Sequence, residues 1–132
     1  MNYSETRPSS GPYPRFQGTD LIRLLPAPTG SVQEVSTGMI RLISVELYSD
    51  GLVSRWLWVP RNQTFDRDPL DSPLWNCVVE DDLGTDYRPD SGTGASASVT
   101  HRAEFASVPA VPLNAAYLRF HMAGQEFLVP LR

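Results

Sequence analysis

Turn-forming residues cut this chain into pieces too short for helices of ordinary length. "LIRLL" stops at Pro26, "MIRLISVELY" runs into "SDG" and returns as "LVSRWLWV", "LWNCVVE" gives way to "DDLG", and "VTHRAEFAS", "AYLRFHM" and "EFLVPL" follow. Each piece has strand length and is rich in β-branched and aromatic residues, and 12 prolines and 9 glycines over 132 residues supply the punctuation. The pattern predicts an all-β fold, an antiparallel β-sandwich of seven to nine strands with almost no helix. A chain of this length can bury one ordinary core without disulfides or metals as staples. A single sandwich domain is therefore expected over 20–132. Residues 1–19, rich in Pro, Ser and Gly, are expected as a flexible tail, because they carry too little apolar surface to offset the entropy of ordering.

The Asp50-Gly51 pair predicts a register for one hairpin. If these two residues form a turn with positive φ at both positions, Ser49 faces Leu52 and the pairing runs outward from there. Glu46 then falls opposite Arg55, Val45 opposite Trp56 and Ile43 opposite Trp58. Ile43, Val45, Leu47, Trp56 and Trp58 share one apolar face in that register. A three-residue loop with a Gly51 bulge would instead set Val45 against Arg55 and mix polarity on both faces, so the hydrophobic pattern favours the shorter turn.

"VVEDDLGTDYRPD", residues 78–90, reads as a second hairpin. Asp82 and Leu83 suit the centre of a type I turn, Gly84 supplies a positive φ after it, and Val79 would pair with Tyr87. Trp75, Cys77 and Val79 would then point one way. The same register opposes Glu80 and Asp86, a like-charge pair that solvent, Arg88 or a bound cation would have to relieve. That makes Glu80, Asp82 and Asp86 candidate calcium ligands. The loop "DRDPLD" adds Asp66, Asp68 and Asp71 as candidates, with Phe65 and Tyr87 as stacking surfaces for a carbohydrate. An EF-hand is excluded, since Gly84 at the sixth loop position puts Val79 at the first and Leu83 at the fifth. The plainer reading makes all these carboxylates turn formers that bond local backbone N–H groups.

Other motifs fall to context. "GTGASA" matches the letters of a dinucleotide fingerprint, but "SVTH" follows where a helix is needed, so a flexible linker between strands is expected. Cys77, the only cysteine, sits in a strand pattern as a buried, inert thiol. His101 and His121 fall in separate strands as half-exposed residues, with no nucleophile motif beside them. No enzyme is expected, because no acid–base or nucleophilic set gathers at a recognisable spacing. A net charge of −4 and the absence of any basic patch argue against nucleic acid and anionic membranes as partners. Neither a signal peptide nor a run of ~20 apolar residues is visible, so a cytoplasmic or assembly-associated location is expected.

"VELYSDGLVSRWLW", "VVEDDLGTDYRP" and "VPLNAAYLRF" together resemble small immunoglobulin-like β-sandwich proteins of unknown function from bacteria, actinobacteria among them. The resemblance covers about 110 residues, Leu21 to Leu131, and carries no cofactor, catalytic or binding residues with it. It implies a fold and leaves the function to surfaces. A non-catalytic interaction or structural module is expected, meeting a protein partner or further copies of itself through a sheet edge, loops or the N-terminal tail. Within the tail, Tyr13 and Phe16 in "GPYPRF" are the candidate contact residues, on an extended strip suited to an apolar groove. The alternative is a ligand-binding sandwich taking calcium or carbohydrate on the acidic loops.

Overall fold

The computed structural model describes residues 15–61, 72–97 and 100–132. Among them the chain forms nine strands and no helix: β1 Leu21–Pro26, β2 Val32–Val35, β3 Gly38–Tyr48, β4 Gly51–Pro60, β5 Cys77–Asp81, β6 Arg88–Ala97, β7 Thr100–Val108, β8 Tyr117–Met122 and β9 Gln125–Pro130. All pair antiparallel in two sheets. One has the order β1-β3-β4-β7-β6, with β2 also on β3, and the other the order β5-β8-β9. β1 and β2 lie end to end along a single edge of β3, the first on Ser44–Tyr48 and the second on Gly38–Arg41.

The inner faces of the two sheets meet around the indoles. Trp56 and Trp58 are 0% exposed, and the Trp56 ring stands edge-on to Phe127 at 4.9 Å and to Phe120 at 6.0 Å between centroids. Ile40, Leu42, Val45 and Leu52 complete the six-stranded side, and Val79, Leu118, Met122 and Val129 the three-stranded side. Strand alternation explains the set: β5 buries Cys77, Val79 and Asp81 while Val78 and Glu80 face outward.

The β3–β4 pairing departs from expectation in an instructive way. Tyr48 pairs with Gly51 and Leu47 with Leu52, so the turn is Ser49-Asp50 rather than Asp50-Gly51. Gly51 is used for close approach instead: a Cβ there would stand 2.7 Å from Cδ1 of Phe16 and run into the Ser107 carbonyl. Asp50 is likewise spent elsewhere, accepting the backbone N–H of Gln17 at 2.6 Å. The pairing moves by two residues, an even step that keeps every side chain on its face. Val45 and Leu47 therefore still line up inside with the tryptophans. A bulge between Leu42 and Ser44 then turns Ile43 out of the core and brings Leu42 opposite Trp56 and Ile40 opposite Trp58. Glu46 and Arg55 are diagonal rather than opposed, yet they form the expected ion pair at 2.9 Å.

Two other expectations are corrected. Residues 78–90 are not a hairpin. Gly84 does take positive φ, at 77°, but β5 pairs with β8 and β6 with β7, so the chain crosses from one sheet to the other between them. Val79 lies opposite Phe120, not Tyr87, and Glu80 opposite Arg119, not Asp86. "GTGASA" is not a linker but the last six residues of β6, a ten-residue strand at the edge of its sheet among the described residues. Gly92 fits there because the ring of its cross-strand partner Phe105 occupies the space: a Cβ would sit 2.9 Å from Phe105 Cδ1.

Candidate functional site

The acidic segment between β5 and β6 is a connector whose carboxylates are already engaged. Asp81 is buried and accepts hydrogen bonds from the Leu83 N–H at 2.8 Å, the Thr85 N–H at 3.1 Å and the Tyr87 hydroxyl at 2.7 Å. Asp82 accepts from the Ala116 N–H at 2.7 Å, tying the crossing to the head of β8. Glu80 lies between Arg119 at 3.2 Å and His121 at 3.0 Å, and these two partners, His121 first, hold its carboxyl below the usual range. Asp86 pairs with Arg88 at 2.9 Å. The opposition of Glu80 and Asp86 that suggested a cation does not arise. Among the described residues no group of three or more His, Cys, Asp or Glu side chains is arranged to hold a metal. Asp66, Asp68, Asp71 and Phe65 lie outside the described residues.

The remaining candidates separate rather than converge. Cys77 is buried 3.8 Å from the Ser54 hydroxyl. Burial pushes its thiol up to about 11, only partly offset by the Ser54 hydrogen bond, so it carries almost no thiolate at neutral pH. His101 is buried rather than half-exposed, its ring 5.0 Å from Trp58, whereas His121 is on the outer face of β8 with Glu80. Trp75 does not point inward with Cys77 and Val79; it precedes β5 and is 76% exposed.

Phe16 packs on its own chain, edge-on to Tyr48 at 5.3 Å, and its N–H donates to Asp90 Oδ1 at 3.2 Å. The Gly18 N–H bonds to Asp50 as well, so the residues leading into β1 cross the tip of the β3–β4 hairpin. Tyr13 lies outside the described residues.

A surface absent from the expectations is the apolar strip on β1. Leu21, Ile22 and Leu24 are 54%, 59% and 57% exposed, and Leu113, on the segment before β8, is 94% exposed. Ile22 and Leu113 rim a cleft of about 310 Å³ whose walls include Leu47, Val111, Ala115 and Leu131. The Arg23 guanidinium at its edge is spent on the Leu131 carbonyl at 2.8 Å. The signal was in the sequence. "LIRLL" puts large apolar residues at both odd and even positions, and an edge strand facing one core can bury only one of those sets. No helix among the described residues is long and apolar enough to cross a membrane. Neither family models, nor curated proteins, nor solved structures yield a match to this chain.

Proposed function

We propose that this chain is a non-catalytic interaction module, an immunoglobulin-like sandwich that takes a protein partner on the apolar strip of β1. The strand order supports the fold reading: β3-β4-β7-β6 over β5-β8-β9 follows the A-B-E-D and C-F-G order of constant-type immunoglobulin domains, with β1 and β2 added at the β3 edge. The observation that carries the function is an apolar cleft rimmed by exposed Ile22 and Leu113, with Ile22 on a strand that also exposes Leu21 and Leu24. Isolated exposed leucines need no explanation, but exposed apolar side chains at the rim of an apolar concavity are what a surface covered by another protein presents. Calcium or carbohydrate binding draws no support from the connector, where each carboxylate already accepts from a neighbour.

The test is a comparison of the chain with its Leu24→Asp/Leu113→Asp double variant as baits in extract of the cells that make it. Both positions are exposed, so folding stability should move by no more than about 0.5 kcal/mol each. Placing charge in the middle of a desolvated contact should weaken a genuine partner roughly 100-fold. Equal retention of every bound protein by the two baits would remove the basis for this reading.

A further inference from the structure

We propose that the exposed indole of Trp75 is the platform of a carbohydrate site beside β5, which takes a neutral glycan chain of glucose-type pyranose rings. The site shares no residue with the β1 strip or its cleft, so the two readings stand or fall separately.

Trp75 is held in water by its own backbone. Leu74 and Cys77, on either side of the Trp75-Asn76 pair, are each 8% exposed and take the inward positions. The Leu74 N–H donates to Ser72 Oγ at 3.2 Å and the Trp75 N–H to the Pro73 carbonyl at 3.0 Å, which pins the segment ahead of β5. An aromatic ring kept out of the core in this way forgoes about 150–250 Å² of burial. A ligand that covers it finds the ring already ordered, so little entropy is lost on contact.

Two hollows flank the indole. The larger, about 450 Å³, lies between β5 and β6 and falls within the ~300–1,000 Å³ range of small-molecule sites. The smaller, about 210 Å³, has Pro73, Val78 and His121 in its wall. Trp75 and Asn76 border both. A ligand that fills both must pass over the indole, which suits a chain of repeating rings better than one compact molecule.

The walls select the class of ligand. In the larger hollow Leu74 and Phe105 are interspersed with Asn76, Asp90, Thr93 and Ser107, whereas the cleft beside β1 is lined mostly by apolar side chains. A pyranose with equatorial hydroxyls has the matching pattern. Its C–H faces lie on the electron-rich face of an indole, and the hydroxyls round its rim meet amide, carboxylate and hydroxyl groups. Asp90 is already oriented, since its Oδ1 accepts the Phe16 N–H at 3.2 Å. Among the described residues it is the one charge in that wall, and the chain carries −4 overall, so an anionic glycan is disfavoured.

Cellotetraose is the probe. Trp56 and Trp58 are 0% exposed, so iodide quenching of tryptophan fluorescence reports Trp75, and the bound tetraose should protect it. Calorimetry should give a dissociation constant on the order of 1 mM or tighter. Glucose, which cannot reach both hollows, should bind roughly tenfold more weakly. Trp75→Ala should weaken tetraose binding roughly tenfold, and Trp75→Phe, which keeps a ring, by about threefold or less. Asn76→Ala should cost about fivefold. Both positions are exposed, so these variants should melt with the parent, and Leu24→Asp/Leu113→Asp should bind tetraose as the parent does. No protection of Trp75 at about 10 mM tetraose, equal affinity for glucose, or parental binding by Trp75→Ala would each overturn the proposal. Loss of a retained protein from a Trp75→Ala bait, with no response to cellotetraose, would assign the ring to a protein contact instead.

Discussion

Replacing Trp56 with alanine should lower the stability of this chain by about 3–5 kcal/mol, the range for deleting a fully packed aromatic. The indole is the hinge of the core. It projects from the centre of β4, meets Phe120 of β8 and Phe127 of β9 across the interlayer space, and donates its N–H to the Ser54 hydroxyl at 2.8 Å. Removing it opens a void bordered by both sheets and deprives the buried Ser54 hydroxyl of its donor. Domains of this size are stable by roughly 5–15 kcal/mol in total, so the variant should be close to unfolding at physiological temperature. Trp56→Phe separates the two contributions, because it restores most of the volume and only the hydrogen bond is lost, about 1 kcal/mol net. Urea unfolding at 25 °C measures both. A Trp56→Ala midpoint within about 1 kcal/mol of the parent would mean that the two sheets do not share this core.

The second large effect belongs to Asp81. Burial alone would raise its pKa, but hydrogen bonds from Thr85, Tyr87 and Leu83 outweigh burial and leave the carboxyl below its ordinary value. A carboxyl depressed on folding contributes stability above its unfolded value, near 3.9, and loses it as pH falls through the lower folded value. Asp81→Ala should cost about 2–4 kcal/mol at pH 7, because three donors lose a charged acceptor and Tyr87 keeps a half-buried hydroxyl. The gap between the parent and Asp81→Ala should then narrow below about pH 4, where the parent loses the same term. Thermal midpoints from pH 2 to 7 give the comparison, and a gap that stayed constant throughout would assign the loss to packing instead of charge. Tyr87 moves in the complementary direction, its phenol raised first by burial and then by the Asp81 bond, so it favours folding up to pH 10 and loses that contribution above it.

How far these features were legible follows from what each residue pattern encodes. Period-two alternation reports which face a side chain takes, and the inward set of β4, Trp56 and Trp58, was readable for that reason. It does not report which strand lies alongside. The turn at Gly84 was foreseeable from glycine and aspartate. Whether Tyr87 then returned along β5 or crossed to the other sheet depended on Asp81 and Asp82 reaching Tyr87 and Ala116, contacts that local sequence does not specify. The β3–β4 register slipped because Gly51 and Asp50 serve Phe16 and Gln17, residues more than 30 positions away. "SGTGASA" reads as loose chain by composition, and it becomes a strand because β7 offers it a ladder and Phe105 a ring. The apolar strip at "LIRLL" was visible all along as a failure of alternation.

The bonds from Arg23 to the Leu131 carbonyl just past β9 and from Gln33 to the Glu126 carbonyl within it have a mechanical meaning. They lace the smaller layer to the larger along one flank, whereas the opposite flank, between β5 and β6, holds a cleft of about 450 Å³ with Trp75 at its mouth. On the first flank the layers are held by side chains of β1 and β2, on the second by the backbone that crosses from β5 to β6. Beside that cleft, amide protons of β5 should exchange with solvent ahead of those of β9.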